Sequence, residues 1–294
     1  MPGRRFPNSG LEAAFGWPAG PLLRFTGMKI DMNRVVGTHD IVLLTLDTLR
    51  FDVADACFHA GKTPEFGRLF PEGWEKRHSP GSFTYAAHHA FFAGFLPTPV
   101  MPPWPSRLFA ARFAGSETTG PETCVFDSPD LVAGLRERDY HTICIGGVGF
   151  FNKQTPLSRV LPDLFAESHW SEALGVTNPH STCHQFELAA NRLAAIPCDR
   201  RIFLFINISA IHQPNCHYVP GMKKDDLTTH AAALRYVDSQ LPVLVEALQR
   251  RADTLFIACS DHGTLYGEDG FTGHRVGHPA VWTVPYAETI LARR

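Results

Sequence analysis

Near the end of the 294-residue chain an apolar run, Thr254 to Cys259, is followed at once by Ser260-Asp261-His262-Gly263, then by Gly273-His274 and His278. An Asp beside a His offers one hard oxygen and one imidazole nitrogen, a donor pair suited to a divalent cation. Asp47 stands in the same relation to a second apolar run, Ile41 to Leu46. Two further runs end alike: His141 to Ile145 leads through a glycine-rich loop to Asn152 and Lys153, and Arg201 to Ile206 leads to Asn207, Ser209 and His212. Such runs read as strands buried on both faces, and a parallel sheet delivers all its carboxyl ends to one edge. Asp47, Asp261 and His262 then converge as an oxygen-rich set with one nitrogen, fit for Mn²⁺, Zn²⁺ or Mg²⁺. A hydroxyl able to complete that set becomes a better nucleophile, because the cation stabilises its alkoxide.

The turn-rich loop from His78 to Phe83 supplies such a hydroxyl at Thr84, where it feeds a helical stretch that ends at Gly94 and Pro97. At a helix N-terminus the free N–H groups and the dipole favour a phosphate-like anion.

The elements that must position these groups alternate. Helices are predicted over 63–70, opened by Thr63 and Pro64, over 128–139, opened by Ser128-Pro129-Asp130, over 181–195, and over 227–251 with apolar residues at 234, 237, 241, 244, 245 and 248. Strands and helices in turn give an α/β fold with a mainly parallel central sheet and helices on both faces. One domain is expected from residue 36 to 294. Residues 1–35, rich in Gly, Pro and Arg, read as a loosely packed or disordered extension without chemistry.

Lys plus Arg number 27 and Asp plus Glu 29, so bulk charge attracts neither nucleic acid nor an anionic membrane. Seven cysteines are scattered without CxxC spacing, and Cys144 and Cys259 lie inside apolar runs, which reads as reduced core thiols. With no run of signal-peptide length and no membrane-length apolar stretch, a cytoplasmic protein without a membrane segment is expected. Nothing in the sequence sets an oligomeric state.

Asp47 after a strand, the stretch Ser82-Phe-Thr84-Tyr-Ala-Ala-His88-His-Ala-Phe-Phe-Ala-Gly94-Phe-Leu-Pro97, and Ser260-Asp261-His262-Gly263 together resemble the alkaline phosphatase superfamily, most closely its sulfatase-like branch. Tyr236-Val-Asp238, Gly273-His274 and Val284-Pro285 extend the resemblance over most of residues 40–286. It implies a three-layer αβα sandwich. The sulfatase signature sets its nucleophile ten residues before the glycine of a Phe-x-x-Gly-x-x-Pro ending, which lands on Thr84.

Two departures matter. Sulfatases convert a Cys or Ser to formylglycine, with a proline and an arginine downstream, whereas the matched positions here are Thr84, Ala86 and His88. Threonine cannot give that aldehyde, so the resemblance points to threonine-using phosphodiesterases and lipoteichoic-acid-synthase-like phosphotransferases. Two-metal members carry an Asp and a His four residues apart in mid-chain, but Asn207-Ile-Ser-Ala-Ile-His212 lacks the aspartate.

The resemblance thus implies a metal-dependent hydrolase of phosphate mono- or diesters, acting on a small-molecule ester through a phosphothreonine at Thr84. One divalent ion would be held by Asp47, Thr84, Asp261 and His262, with His274 a further ligand. A second ion would draw on His212, His274 and His278. Zinc or manganese is favoured, with magnesium or calcium as alternatives. His212 or His274 would protonate the leaving group and Lys153 would neutralise phosphoryl oxygens. Asn152, His88, in place of the missing arginine, and His278 would contact substrate. The alternatives are a phosphotransferase or mutase, a sulfate-ester hydrolase, and a catalytically silent binding member of the fold. Specificity is assigned to residues 98–125 and 154–180, which carry Trp104, Arg107, Arg112 and Trp170.

Overall fold

The computed structural model describes residues 30–94 and 130–294. The specificity segment 98–125, the start of the helix predicted at 128, most of the N-terminal extension and the signature residues Phe95 to Pro97 lie outside the described residues.

After a short helix α1 (Met32–Val35), the chain forms β1 (Asp40–Leu46), α2 (Phe51–His59), α3 (Pro64–Leu69), β2 (Glu75–His78) and α4 (Thr84–Ala93). It continues through α5 (Leu131–Arg136), β3 (His141–Ile145), α6 (Pro156–Arg159), β4 (Glu167–His169), α7 (Ser181–Ala195) and β5 (Ile202–Ile208). Then come α8 (Leu227–Gln249), β6 (Thr254–Cys259), a small hairpin of β7 (Leu265–Tyr266) and β8 (Thr272–Gly273), α9 (Pro279–Trp282) and β9 (Thr283–Leu291). From β1 onward these elements belong to one compact unit, Asn33–Arg294.

The main sheet has the order β2-β9-β6-β1-β5-β3-β4. Its five strands from β6 to β4 are parallel, and β9 and β2 close the other side as antiparallel strands. This is the mainly parallel α/β sheet that the apolar runs predict. Val284 and Pro285, matched only by resemblance, lie in β9, where Pro285 pairs with Lys76 on β2.

Period-two alternation gives the central strands two different faces. Val42, Leu44, Leu46, Leu204 and Ile206 join Val237, Leu241 and Leu244 in the core beneath α8, against which α2, α3 and α7 pack. Phe203 and Phe205 turn the opposite way, toward α4, with ring centroids 5.8 Å from Phe165 and 5.1 Å from Phe92 respectively. Each such buried ring contributes about 2–3 kcal/mol by leaving water, so this aromatic layer is what anchors α4 over the sheet.

α8 runs on through Pro242, and Asp238 on it caps α3, accepting from the N–H groups of Phe66 at 2.8 Å and Glu65 at 3.3 Å. The Tyr236 hydroxyl accepts from the Cys183 N–H at 3.3 Å. The Tyr236-Val-Asp238 stretch therefore holds helices together.

Candidate metal centre and nucleophile

The register sets the site. Thr45 on β1 pairs with Asn207 on β5 and with Cys259 on β6, so Asp47 and Asp261 emerge at the same level, two residues beyond. Just past Asp47 the chain bends sharply: Thr48 sits at φ 64°, a strained value for a β-branched residue, and its N–H donates to Asp261 Oδ1 at 3.2 Å. Asp47 Oδ2 accepts from Thr84 Oγ1 at 3.3 Å and from Asn207 Nδ2 at 3.1 Å. Asp261 Oδ1 also accepts from the His262 N–H at 3.0 Å. The other oxygen of each carboxylate, Asp47 Oδ1 and Asp261 Oδ2, is buried without a hydrogen-bond partner.

His262 Nδ1 lies 2.9 Å from the Gly263 carbonyl, which assigns the proton to Nδ1 and leaves the Nε2 lone pair facing Thr84 Oγ1 at 3.3 Å. Gly263 follows for lack of room: a Cβ there would lie 1.9 Å from the Ala280 carbonyl oxygen. The sharp turn expected of this glycine is a close approach to α9, sealed by its N–H donating to Val281 O at 2.6 Å.

Thr84 is the first residue of α4, and the preceding Phe83 provides no side-chain cap. The first N–H groups of that helix have no partner within the helix, and its leading hydroxyl reaches Asp47. One turn on, His88 Nδ1 lies 2.7 Å from the Thr84 carbonyl and Nε2 lies 3.1 Å from Thr45 Oγ1. Burial, with some help from His262, pushes His88 down to about 3, so it is neutral and supports Thr84 from inside the core.

The remaining predicted residues divide. The His274 ring is 4.5 Å from that of His262, and the His212 ring is 5.9 Å from His274, so these three imidazoles form one cluster. His278 Nδ1 accepts from the Ala280 N–H at 3.0 Å, capping α9, and its Nε2 meets Asp269 at 3.1 Å. The Asn152 side chain turns back on its own loop, accepting from the Gln154 N–H at 3.0 Å. Lys153 Nζ donates to Ser168 O at 3.2 Å and Ser168 Oγ at 2.8 Å, in an open cleft of about 720 Å³ lined also by Trp170 and His184.

Burial first, then repulsion from Asp261, raises Asp47 to about 6. Burial raises Asp261 to about 7 although it accepts backbone N–H bonds. Burial lowers His262, and it pushes His274 down to about 3, where His262, His212 and Arg275 add to the effect. Two buried carboxylates with orphaned oxygens beside a neutral imidazole are an unfavourable arrangement that a divalent cation cancels. One donor atom from each of Asp47, Asp261 and His262 lies within 4.8 Å of the others. The donor set fits such an ion, with Thr84 as the adjoining hydroxyl.

Two contributors go beyond the predicted set. Asn207 stands where the missing aspartate is expected and bonds Asp47 through its amide, while its carbonyl accepts from the Val148 N–H at 3.0 Å. Its signal was there to use: a polar residue ending an apolar run, as Asp47 does. Arg275 lies beside the Thr84 loop, its N–H donating to Ser82 O at 2.8 Å. Only its adjacency to His274 marked it.

A mainly parallel sheet of this order, with this donor set at its carboxyl edge, matches the fold of the alkaline phosphatase superfamily. A sulfatase family model matches residues 39–286, and the chain belongs to that family. Among solved structures it is similar to the C-terminal periplasmic domain of phosphoethanolamine transferase EptC from Campylobacter jejuni, at 12% identity, TM-score 0.58, 86% of this chain and 79% of that one. The lipoteichoic acid synthase LtaP from Listeria monocytogenes is similar at 12% identity and TM-score 0.55, over 86% and 65%. The integral membrane phosphoethanolamine transferase EptA from Neisseria meningitidis is similar at 13% and 0.56, with 86% of this chain spanning 48% of that one. No curated protein matches the chain.

These likenesses correct the cytoplasmic expectation, because the similar structures include C-terminal periplasmic domains and an integral membrane protein. Reduced-looking thiols and a missing leader-like run do not select a compartment for this fold. Among the described residues no helix is long and apolar enough to cross a membrane.

Proposed function

We propose that this chain cleaves a phosphate ester through Thr84 with the help of a divalent ion. The observation that carries the reading is Thr84 Oγ1 at 3.3 Å from both Asp47 Oδ2 and His262 Nε2, at a helix N-terminus and next to two orphaned carboxylate oxygens. Asp47, Asp261, His262 and Thr84 would hold the ion. When bound, it supplies charge that stabilises the attacking oxygen and the phosphoryl oxygens.

In the first step the Thr84 proton leaves along its bond to Asp47 Oδ2, the Thr84 O–P bond forms in line, and the ester P–O bond breaks. The departing oxygen takes a proton from His212, whereas His274, held neutral by burial, orients the neighbouring rings. His212 Nδ1 is bonded to Gln213 O at 2.5 Å, which leaves Nε2 for that exchange. In the second step an acceptor hydroxyl gives its proton to the same histidine and attacks phosphorus, the Thr84 O–P bond breaks, and Thr84 recovers its proton from Asp47. Water as acceptor makes a hydrolase and an alcohol makes a transferase. Likeness to the phosphoethanolamine transferases and LtaP favours the alcohol. Lys153 and Asn152, on the cleft side, would meet the part of a small phosphate ester that lies beyond the phosphoryl group. A sulfate ester is disfavoured because threonine cannot supply the formylglycine aldehyde.

The test combines Thr84→Ala with chelation. Turnover of p-nitrophenyl phosphate or its bis-ester should fall at least about a thousandfold in the variant, stop on metal removal and return with added cation. Added alcohols should divert product if the chain is a transferase. Full turnover in Thr84→Ala would sink the reading.

A further inference from the structure

Arg275 occupies a backbone position that does not suit it. Its φ is 71°, in the left-handed region, which the preceding turns reach with Gly267, Gly270 and Gly273 and, as the one non-glycine among them, Asp269. A non-glycine residue persists there at a cost that its surroundings must offset. The backbone bond from its N–H to Ser82 O at 2.8 Å does not explain the choice, because glycine would make it equally well.

The side chain is exposed, and its guanidinium lies 5.5 Å from the ring centroid of Phe83, the residue immediately before Thr84. Phe83 in turn packs 6.2 Å from Phe150, which fixes the platform. Among the described residues no carboxylate pairs with Arg275: Asp269 meets His278 at 3.1 Å, and Glu268 is taken by Arg50. Among the described residues, Arg50 is engaged by Asp52 at 2.6 Å and Lys153 by Ser168 at 2.8 Å. What remains is a planar guanidinium with no carboxylate partner among the described residues, lying over the Phe83 ring next to the nucleophile, with a fork geometry that matches two phosphoryl oxygens.

We propose that Arg275 grips the non-bridging oxygens of the substrate's phosphoryl group, and that this contact is why arginine stands at a left-handed position beside Thr84. The inference rests on the phosphate-ester reading of the site and names the residue that binds the transferring group. It also replaces His88, buried in the core, as the answer to the arginine missing from the helix.

Arg275→Gly separates function from fold, because glycine relieves the backbone and keeps the Ser82 bond. Metal-loaded wild type, Arg275→Gly and Arg275→Lys are titrated with inorganic phosphate by calorimetry, and ester turnover and Tm are followed in parallel. The expected result is a Tm equal to or above wild type in Arg275→Gly, with phosphate affinity weakened about tenfold to hundredfold. Lysine should recover only part of the affinity, and KM should rise more than kcat falls. Unchanged phosphate affinity in Arg275→Gly overturns the proposal, as does a fall in Tm that accounts for the loss. Phosphate binding that depends on Arg275 without any ester turnover would support this contact while removing the reading of the reaction. Absence of phosphate binding to the metal-loaded wild type overturns both.

Discussion

Asp261→Asn should stabilise the metal-free protein at alkaline pH while abolishing its response to metal. Asp261 has its pKa raised from 3.8 to about 7, and Asp47 from 3.8 to about 6, chiefly by burial. A carboxyl whose folded value is raised favours folding only while protonated. That favourable contribution is complete below the unfolded value of 3.8 and is lost as pH rises through about 6 and 7. For Asp261 alone, 3.8 against about 7 amounts to about 4 kcal/mol near pH 8 and under about 1 kcal/mol near pH 4. Asparagine avoids that cost. Its Oδ1 can keep the bonds from Thr48 N and His262 N, and its amide takes the place of Oδ2, which lies 3.4 Å from His262 Nε2. Urea unfolding in a chelating buffer reads the effect: the variant should exceed wild type by about 2–4 kcal/mol near pH 8 and match it within about 1 kcal/mol near pH 4. Adding Zn²⁺ or Mn²⁺ should raise wild type strongly and the variant little. A variant less stable than wild type in chelator at both pH values would refute the claim that this carboxylate is strained until a cation arrives.

Asn207→Ala removes the donor to Asp47 Oδ2 and the acceptor for Val148 N. It should destabilise the protein by about 1–3 kcal/mol in urea and weaken cation retention during dialysis. Gly263→Ala drives a Cβ to 1.9 Å from a backbone carbonyl. A loss of about 3 kcal/mol or more is expected, read by the urea midpoint at constant slope. Lys153→Met should change kcat/KM for a minimal aryl phosphate less than about tenfold, because Ser168 already holds the ammonium. A drop above about a hundredfold in that assay would put Lys153 back on the reacting phosphoryl group.

The sequence by itself determines the central strands and the convergence of their ends. Short apolar runs bounded by turn residues read as strands covered on both faces, and Asp47 and Asp261 then reach one edge because parallel strands share a direction. The helix start at Thr84 was equally legible, since Gly, Pro and Ser before a helical run are local signals. What only the tertiary structure decided depends on which side chain finds which partner. Nothing in a sequence distinguishes His88, buried behind Thr84, from His274, packed against His262, or Lys153, bound to Ser168, from Arg275, beside Phe83 and without a carboxylate partner among the described residues. Edge strands escaped for the same reason: β2, Glu75–His78, has no apolar run, and it is a strand because β9 lies alongside to pair with it. Local pattern sets the elements, but the partners of a polar side chain are set by neighbours far away in the chain.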